Sequence, residues 1–353
     1  MSPIPVRKLS KAGMNRFLDR LMADRPVIGP RERPDQPGFY QFDGLKTPEE
    51  FAPDYGPTTL PPKKAFAAPS EKLFSFTLTD PPELTHLVED FPFVLLGVHP
   101  CDLSGIDALD DAYGQPPAEA RWTANRKRAA IIGLDCHPDP YCFCTSMDTL
   151  SARRPCDLFL TPIEDGYLVE IHTDAGNVLL EFADTATADE ADRSAAEEWR
   201  RQKADKIGPS LDAPVNRLAD ILEKGGVTPV WKEIAERCYS CGSCNTTCPT
   251  CFCFDMVDDI DAEMTGGVRR RTWDSCQLLD FAVVAGGHNF RGERWQRVKH
   301  RWQRKFLYLY RRFGRPYCTG CGRCSRACTA DINIVDVSNR IIAFGEEKEA
   351  SDG

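Results

Sequence analysis

Residues 238–249 have the sequence CYSCGSCNTTCP, which places four cysteines in a C-x2-C-x2-C-x3-C-P run. The run recurs at residues 318–329 as CTGCGRCSRACT, where Thr329 replaces the Pro249 of the first copy. In each copy, three closely spaced thiolates can curl around one face of a four-iron, four-sulfide cluster, each binding its own iron. The repeated run therefore predicts a ferredoxin-like domain with two 4Fe–4S clusters.

The fourth cysteine of each run is separated by one extra residue, which carries its thiol away from the other three. In two-cluster ferredoxins this cysteine binds the other cluster. We therefore expect cluster 1 on Cys238, Cys241, Cys244 and Cys328. We expect cluster 2 on Cys318, Cys321, Cys324 and Cys248. Structural zinc is the competing interpretation, but zinc sites commonly use two cysteine pairs separated by a longer loop, and neither run has that layout.

The N-terminal half holds a second group of cysteines, each shortly after an apolar run. Cys101 follows the run at 91–98, and Cys136 follows the run at 129–134. Open α/β sheets place their ligand sites just past the carboxyl ends of such strands. Four thiols can complete a third 4Fe–4S cluster here: Cys101, Cys136, Cys142 and Cys144. They can also be buried small residues, since free cysteine is among the most buried residue types.

The neighbours of these four cysteines have more than one interpretation. Asp102, His99 and His137 can replace a thiol as ligand or donate hydrogen bonds to a cluster, although a lone histidine more often does neither. Cys156 lies at the start of a predicted strand, and we expect a structural role for it.

Three further cysteines, Cys251, Cys253 and Cys276, lie close to or between the two runs. They can bind another metal with an outside ligand such as His288, or pack around the clusters as polarizable side chains. We favour packing.

The chain as a whole predicts an α/β N-terminal domain plus a mainly helical two-cluster ferredoxin-like C-terminal domain. We expect the α/β domain at 1–228, the dicluster domain at 229–345 and a tail at 346–353. After a short amphipathic helix near residues 15–22, a Pro-rich stretch to about residue 70 should wrap a surface rather than join a sheet, because proline lacks an N–H donor.

Periodicity supplies the candidate elements of both domains. The predicted strands are 73–78, 93–98, 129–134, 158–160 and 167–171. The predicted helices are 82–89, 104–113, 271–285 and 294–313, and the charged segment 183–226 should also be helical. The longest apolar run, 91–98, is far short of the roughly 20 residues that span a bilayer. We expect a cytoplasmic protein that binds no membrane.

The segment 291–326 contains twelve Lys or Arg and one acid, Glu293, although the net charge of the chain is −9. Arginines interleaved with aromatic side chains can stack on nucleic acid. Four apolar residues recur here at helical spacing: Val298, Trp302, Phe306 and Leu309. We therefore interpret the segment as an amphipathic helix whose charge raises the potential of the nearby cluster or docks an acidic partner, and we expect no nucleic-acid partner.

Together these motifs resemble the iron–sulfur β subunits of soluble cytoplasmic nickel–iron hydrogenases of the sulfhydrogenase or sulfur-reductase type, and the related A subunit of anaerobic sulfite reductase. Besides the two ferredoxin runs, the resemblance rests on segments in matching order: 61–64 (PPKK), 97–102 (GVHPCD), 142–144 (CFC), 273–276 (WDSC) and 286–291 (GGHNFR).

The resemblance implies an electron-transfer subunit of a larger complex. In such complexes a neighbouring subunit holds a flavin and reacts with NAD(P)H, and a nickel–iron hydrogenase pair or a sirohaem sulfite reductase performs the terminal chemistry. The sequence has no G-x-G-x-x-G after a predicted strand and no triad or carboxylate pair with an identifiable role, so we assign this chain no nucleotide and no catalytic residue. The alternatives are a zinc-stabilised interaction protein and an enzyme that uses its remaining thiols.

Overall fold

The larger of two β-sheets organises the N-terminal half. The computed structural model describes residues 4–86, 91–225 and 227–352. Eight strands form this sheet: β1 (Val6–Ser10), β2 (Val27–Arg33), β3 (Gln36–Gly44), β6 (Phe93–Val98), β7 (Ala129–Leu134), β8 (Leu158–Ile163), β9 (Gly166–Ile171) and β10 (Ala186–Thr187). Their order across the sheet is β10-β1-β9-β8-β7-β6-β2-β3.

The centre of this sheet is parallel, which places the carboxyl ends of β6, β7 and β8 at one edge. Every residue of β6 is buried, as an unbroken apolar run predicts for a strand covered on both faces. Five helices accompany these strands: α1 (Lys11–Asp24), α2 (Pro100–Tyr113), α3 (Ala120–Arg128), α4 (Asp174–Leu180) and α5 (Glu190–Asp205). The strands predicted at 93–98, 129–134, 158–160 and 167–171 are confirmed.

A second sheet connects the two halves of the chain. Its strands are β4 (Ser70–Thr77), β5 (Leu84–His86), β11 (Phe254–Ile260) and β12 (Gly266–Trp273), and β12 pairs with β4. Arg271 of β12 is buried and forms ion pairs with Glu71 at 2.5 Å and Glu119 at 3.1 Å. The sheet therefore contains strands from both sides of residue 229, where the sequence predicts a domain boundary. That boundary remains a prediction.

Helices of the C-terminal half enclose a second apolar core. The helices are α6 (Val215–Lys224), α7 (Thr228–Arg237), α8 (Ser243–Thr246), α9 (Arg294–Gln303), α10 (Leu309–Phe313), α11 (Arg323–Arg326) and α12 (Ile334–Asp352). A π-helical turn at Arg304–Tyr308 joins α9 to α10. Val298, Trp302 and Phe306 are buried in this core, which confirms the apolar face predicted for 294–313. Phe143, from the loop after β7, also packs here.

The helix predicted at 271–285 is wrong. Its first residues belong to β12, and only a 3-10 turn at Asp280–Ala282 follows. Cross-strand pairing stabilises the strand instead. Two ion pairs join β12 to β11, Arg269 with Asp258 and Arg270 with Asp259. Because the C-terminal half contains this hairpin besides its helices, the mainly helical description is not confirmed, and the fold is mixed α/β.

The helix predicted at 82–89 is also wrong where the structure describes it. Leu84–His86 form β5, which pairs with β4, so sheet pairing overrides the local helical pattern. The remainder of that prediction, from residue 87, lies outside the described residues.

The Pro-rich segment contributes two strands, although its prolines predict that it stays out of sheets. Pro30 lies in β2 and Pro37 in β3, the edge strand. β2 pairs with β6 only through Val27 and Ile28, so proline at position 30 removes no ladder bond to β6. Residues 45–69 contain only two 3-10 turns, Pro48–Glu50 and Pro62–Ala65. Within the described ranges, none of the helices is long and apolar enough to cross a membrane.

Candidate metal centres

The first four-cysteine run turns back on itself directly after α7. The Cys238 N–H donates to the Ile234 carbonyl at 3.1 Å and ends the helix. Ser240 and Gly242 then adopt positive φ angles of 56° and 82°. A Cβ atom at position 242 would lie 2.9 Å from the Cβ of Ser275. Glycine therefore permits the close approach that this tight turn requires.

Three thiols of the first run share one cavity with two thiols of the second run. The cavity is lined by Cys238, Cys241, Cys244, Cys324 and Cys328. The structure thus brings together the four residues that the sequence predicts for cluster 1, and a ligand predicted for cluster 2, Cys324, borders the same space.

The ligands predicted for cluster 2 lie deeper in the protein. Cys248, Cys318 and Cys321 are buried, and Cys324 is half-buried. Burial raises the pKa of Cys318 and of Cys321, and in both cases the charges of Cys248 and Cys324 add to the rise. The Thr250 hydroxyl donates to the Tyr317 carbonyl at 2.5 Å, which places the end of the first run, at Cys248, beside the start of the second run, at Cys318.

A buried ammonium group contacts one of these thiols. The Nζ of Lys305 lies 3.0 Å from the Sγ of Cys248, and it also donates to the Tyr317 carbonyl at 3.2 Å. Burial by itself would lower the pKa of Lys305, but the thiolates of Cys248 and Cys251 outweigh burial, so the pKa is raised. Lys305 therefore stays charged and stabilises a thiolate at Cys248 by a charge-assisted hydrogen bond.

Three basic side chains beside the thiols are buried without a carboxylate partner among the described residues. They are Lys63, Arg301 and Lys305, and each is 4% exposed. Arg301 lines the cavity of the cluster 1 thiols, and its Nε and Nη2 have no hydrogen-bond partner in the described chain. A desolvated cation costs several kcal/mol, about 3–5 when its partner is missing, unless an anion compensates it. Iron-bound thiolates supply that negative charge, so these residues fit iron–sulfur clusters.

The four thiols predicted for a third cluster also meet in one cavity, at the carboxyl ends of β6 and β7. Its lining includes Cys101, Cys136, Cys142 and Cys144, together with Cys321 of the second run. Burial raises the pKa of Cys136 to about 12 and that of Cys144 to about 11. These thiols therefore stay protonated at neutral pH unless a metal displaces the protons.

The other candidates around this cavity have distinct surroundings. Both carboxylate oxygens of Asp102 accept hydrogen bonds from Arg323, at 2.6 and 2.7 Å, so Asp102 positions the neighbouring run rather than replacing a thiol. His137 also lines the cavity, and it packs its ring against Trp199 with the ring centroids 4.6 Å apart. His99 lines the cavity, and neither of its ring nitrogens has a hydrogen-bond partner in the described chain.

The ligands of a four-iron cluster and those of a single ion differ in their spacing. Within residues 4–86, 91–225 and 227–352, no three His, Cys, Asp or Glu side chains are arranged to hold one metal ion. The thiolates of a zinc site lie about 3.8 Å apart, because each is ~2.3 Å from the same ion. In a four-iron cluster each thiolate binds a different iron, so the thiols stand farther apart.

The remaining cysteines lie between or beside these sites. Cys251 forms a hydrogen bond with Cys248, which lowers the pKa of Cys248 well below its ordinary value. Cys276 is buried, is hydrogen-bonded to the thiol of Cys253 and accepts a hydrogen bond from the Asn245 side chain at 3.0 Å. These contacts agree with the packing interpretation.

Two other residues considered from the sequence lie away from these thiols. His288, the suggested outside ligand, is exposed and packs edge-on against Phe290. Cys156 is buried and donates to the Arg153 carbonyl at 2.6 Å.

Sequence reasoning missed most of the charged groups around the thiols. Lys63 and Arg323 were not identified, although Lys63 lies in the PPKK segment and Arg323 within the second run. The signal that could have found Arg323 is its position inside the second run, whereas Lys63 is distant in sequence from both runs and gave no comparable signal.

These sites and this fold define a class of protein, the iron–sulfur electron-transfer proteins with a duplicated four-cysteine run. A family model described as a 4Fe–4S dicluster domain matches residues 237–332, which include both runs. The chain is 36% identical over 342 residues to sulfhydrogenase 2 subunit beta of Pyrococcus furiosus, and the match covers 95% of this chain and 97% of that one. The chain therefore belongs to the sulfhydrogenase β subunit family, which confirms the resemblance.

Proposed function

We propose that this chain is the electron-transfer subunit of a cytoplasmic complex of the nickel–iron hydrogenase or sulfur-reductase type. It relays electrons through its 4Fe–4S clusters between a subunit that binds a flavin and NAD(P)H and a subunit that performs the terminal redox chemistry. A 4Fe–4S cluster, when bound, takes up and releases one electron at a time. The residues of this chain hold the clusters, exclude water from them and set their electrostatic surroundings.

One observation supports the relay most directly. The cavity lined by Cys238, Cys241 and Cys244 also receives two thiols from the second run, Cys324 and Cys328, the latter being the fourth ligand expected for cluster 1. Exchange of the fourth thiol ties the two sites together, which is the arrangement of two-cluster ferredoxins. Two clusters held this way lie close enough to pass electrons within one chain.

The surroundings of the two sites support an electron-transfer path that connects the surface with the interior of the chain. Cys241 is exposed, and the neighbouring Tyr239 is 70% exposed. Cys318 and Cys321 are each 8% exposed. A partner subunit therefore has access to the first site, while the second site lies inside the chain.

The test is purification of the complex from its native cells under anaerobic conditions, through an affinity tag after α12. We expect nickel, flavin and iron in the purified complex, and we expect NAD(P)H to bleach the iron–sulfur absorbance. The Cys244→Ser variant should interrupt electron transfer from NAD(P)H to the terminal subunit, while Cys156→Ser should not.

Two results would contradict the proposal. Sirohaem in place of nickel would assign the chain to an anaerobic sulfite reductase, the alternative implied by its sequence motifs. A colourless, iron-free chain that still supports full activity of the complex would remove the relay altogether.

A further inference from the structure

The cavity at the carboxyl ends of β6 and β7 joins thiols from three places in the sequence. Cys101 lies in the first turn of α2, just after β6, and Cys136 follows β7. Cys142 and Cys144 lie farther along the loop after β7. β6 and β7 are parallel neighbours, so both chain segments leave the sheet at the same edge. The dicluster domain identified by the family comparison covers only residues 237–332, and these thiols lie outside it.

A second observation points to a ligand in this cavity. His99 is 1% exposed, and both of its ring nitrogens lack a hydrogen-bond partner within the described chain. Its ring stacks on Tyr55, with centroids 3.9 Å apart, and the Tyr55 hydroxyl donates to the Gly97 carbonyl at 2.7 Å. The imidazole is therefore held in place, although a buried imidazole without partners is costly. A neutral imidazole has one N–H to donate, and cluster sulfides accept such hydrogen bonds.

We propose that Cys101, Cys136, Cys142 and Cys144 hold a third 4Fe–4S cluster, that His99 donates a hydrogen bond to it, and that it exchanges electrons with cluster 2 past Cys321. The exchange is a one-electron step: the cluster that donates is oxidised by one electron, the other is reduced by one, and no covalent bond forms or breaks. The electron-transfer part rests on the relay proposed above, whereas the third cluster stands on the cavity alone.

The loop that holds two of these thiols is packed backbone to backbone against the second run. The Phe143 N–H donates to the Gly320 carbonyl at 2.8 Å. A Cβ atom on Gly320 would lie 2.5 Å from the Cα of Cys144, and one on Gly322 would lie 2.6 Å from Tyr141. Only glycine allows this approach, and both glycines have positive φ.

Two further contacts fix the second run against this site. Cys321 lines the third cavity, although the sequence predicts it as a ligand of cluster 2. Arg323 forms a buried two-pronged ion pair with Asp102, the residue after Cys101. The two predicted cluster sites are therefore adjacent, with Cys321 between them. Electron transfer between adjacent clusters needs no intermediate carrier.

Iron content tests the third cluster in the full chain purified anaerobically. We expect about twelve iron atoms per chain in the wild type and about eight in a Cys136→Ser/Cys142→Ser variant, since each cluster contains ~4. The control Cys156→Ser, another buried cysteine of the same half, should keep the wild-type value. If the double variant does not fold, spin counting by EPR on the dithionite-reduced wild type gives the same answer: three reduced clusters support the proposal and two overturn it.

Each other result of the iron assay overturns the assignment. About eight iron atoms in the wild type would refute the third cluster and leave the two-cluster relay intact, whereas no iron at all would refute both proposals. About ten iron atoms, or bound zinc, means that the four thiols hold something other than a 4Fe–4S cluster.

Two measurements test the role of His99 and the contact with cluster 2. His99→Phe should lower the reduction potential of one cluster only, and His99→Gln should restore most of the shift. The control His288→Phe, at an exposed position away from these thiols, should leave all potentials unchanged. In the fully reduced protein, the EPR signal of cluster 2 should show splitting from the third cluster in addition to the splitting from cluster 1, and only the former should disappear in the Cys136→Ser/Cys142→Ser variant. Unchanged potentials would refute the hydrogen bond, and an unchanged cluster 2 signal would refute the electronic contact.

Discussion

The two ferredoxin-type sites share one cysteine pattern but lie in different surroundings. The first site opens toward the surface at Cys241. Among the described contacts of its thiols, none is made by a lysine, whereas Lys305 contacts Cys248 of the second site. The second is enclosed, and its thiols pack against the α/β half. Identical ligand spacing therefore does not imply identical reduction potentials. Burial and nearby charge decide which cluster meets a partner and at what potential.

The largest expected effect tests whether the two sites exchange their fourth thiols. Cys328→Ser should remove the cluster held by Cys238, Cys241 and Cys244, because serine oxygen is a poor ligand for iron in such clusters. Iron per chain should fall by about four, measured on the anaerobically purified protein with Cys156→Ser as control. Loss of the cluster at Cys318 with the first cluster intact would show that each run binds its own fourth cysteine.

The next effect concerns the ion pair that fastens the second site to the α/β half. Arg323→Met should destabilise the protein by about 3–5 kcal/mol, because it leaves the Asp102 carboxylate buried without a counter-charge. Arg326→Met removes a partly exposed pair with Asp139 and should cost less than about 1 kcal/mol. Chemical denaturation of the cluster-loaded chain measures both. Equal losses in the two variants would mean that the buried pair has no special role.

A smaller effect should separate the potentials of the two clusters. Lys305→Met removes the ammonium group 3.0 Å from the Cys248 Sγ and should lower the potential of cluster 2 by on the order of 100 mV, which corresponds to ~2 kcal/mol for a hydrogen bond to a charged group. An EPR-monitored redox titration should show cluster 1 unchanged. The control is Lys299→Met in the preceding helix, α9. A shift of cluster 1 instead would place Lys305 at the other site.

The smallest effect concerns docking at the open site. Arg294 is exposed and donates to the Ala235 carbonyl at 3.3 Å, close to Cys238. Arg294→Gln should slow association with the partner subunit by about two- to fivefold at low salt, and the difference should disappear as salt screens the charge. Arg312→Gln, at the far end of the same helical segment, is the control. An equal effect of both variants would place the docking surface elsewhere along the segment 291–326.

Much of the candidate site could be predicted because thiol spacing within each run is local. Four cysteines within eleven residues, 238–248, can reach only a small volume, so their pattern predicts the cluster type without knowledge of the fold. The apolar runs that became β6 and β7 were equally informative, since a strand covered on both faces has no polar positions. The position of Cys101 and Cys136 after adjacent strands followed from the same reasoning.

The failures share a physical cause. The local pattern predicts helices at 271–285 and 82–89, but the described part of each contains a strand of the second sheet, in which β4 pairs with β5 and with β12 from the other half of the chain. Pro30 could enter β2 because the partner strand β6 ends its pairing before it. In the two wrong helix predictions, pairing with another strand outweighed a local preference of less than about 1 kcal/mol per residue.

The sequence by itself determined the number of thiols, their grouping into two repeated runs and the family to which the chain belongs. Only the tertiary structure decided that Lys305 reaches Cys248, that Arg323 pairs with Asp102, and that the Cys142–Cys144 loop shares a wall with the second run. Ligand spacing follows from covalent connectivity over a few residues, whereas buried charges and shared walls depend on how distant segments pack. Packing is a property of the whole chain, and no local pattern specifies it.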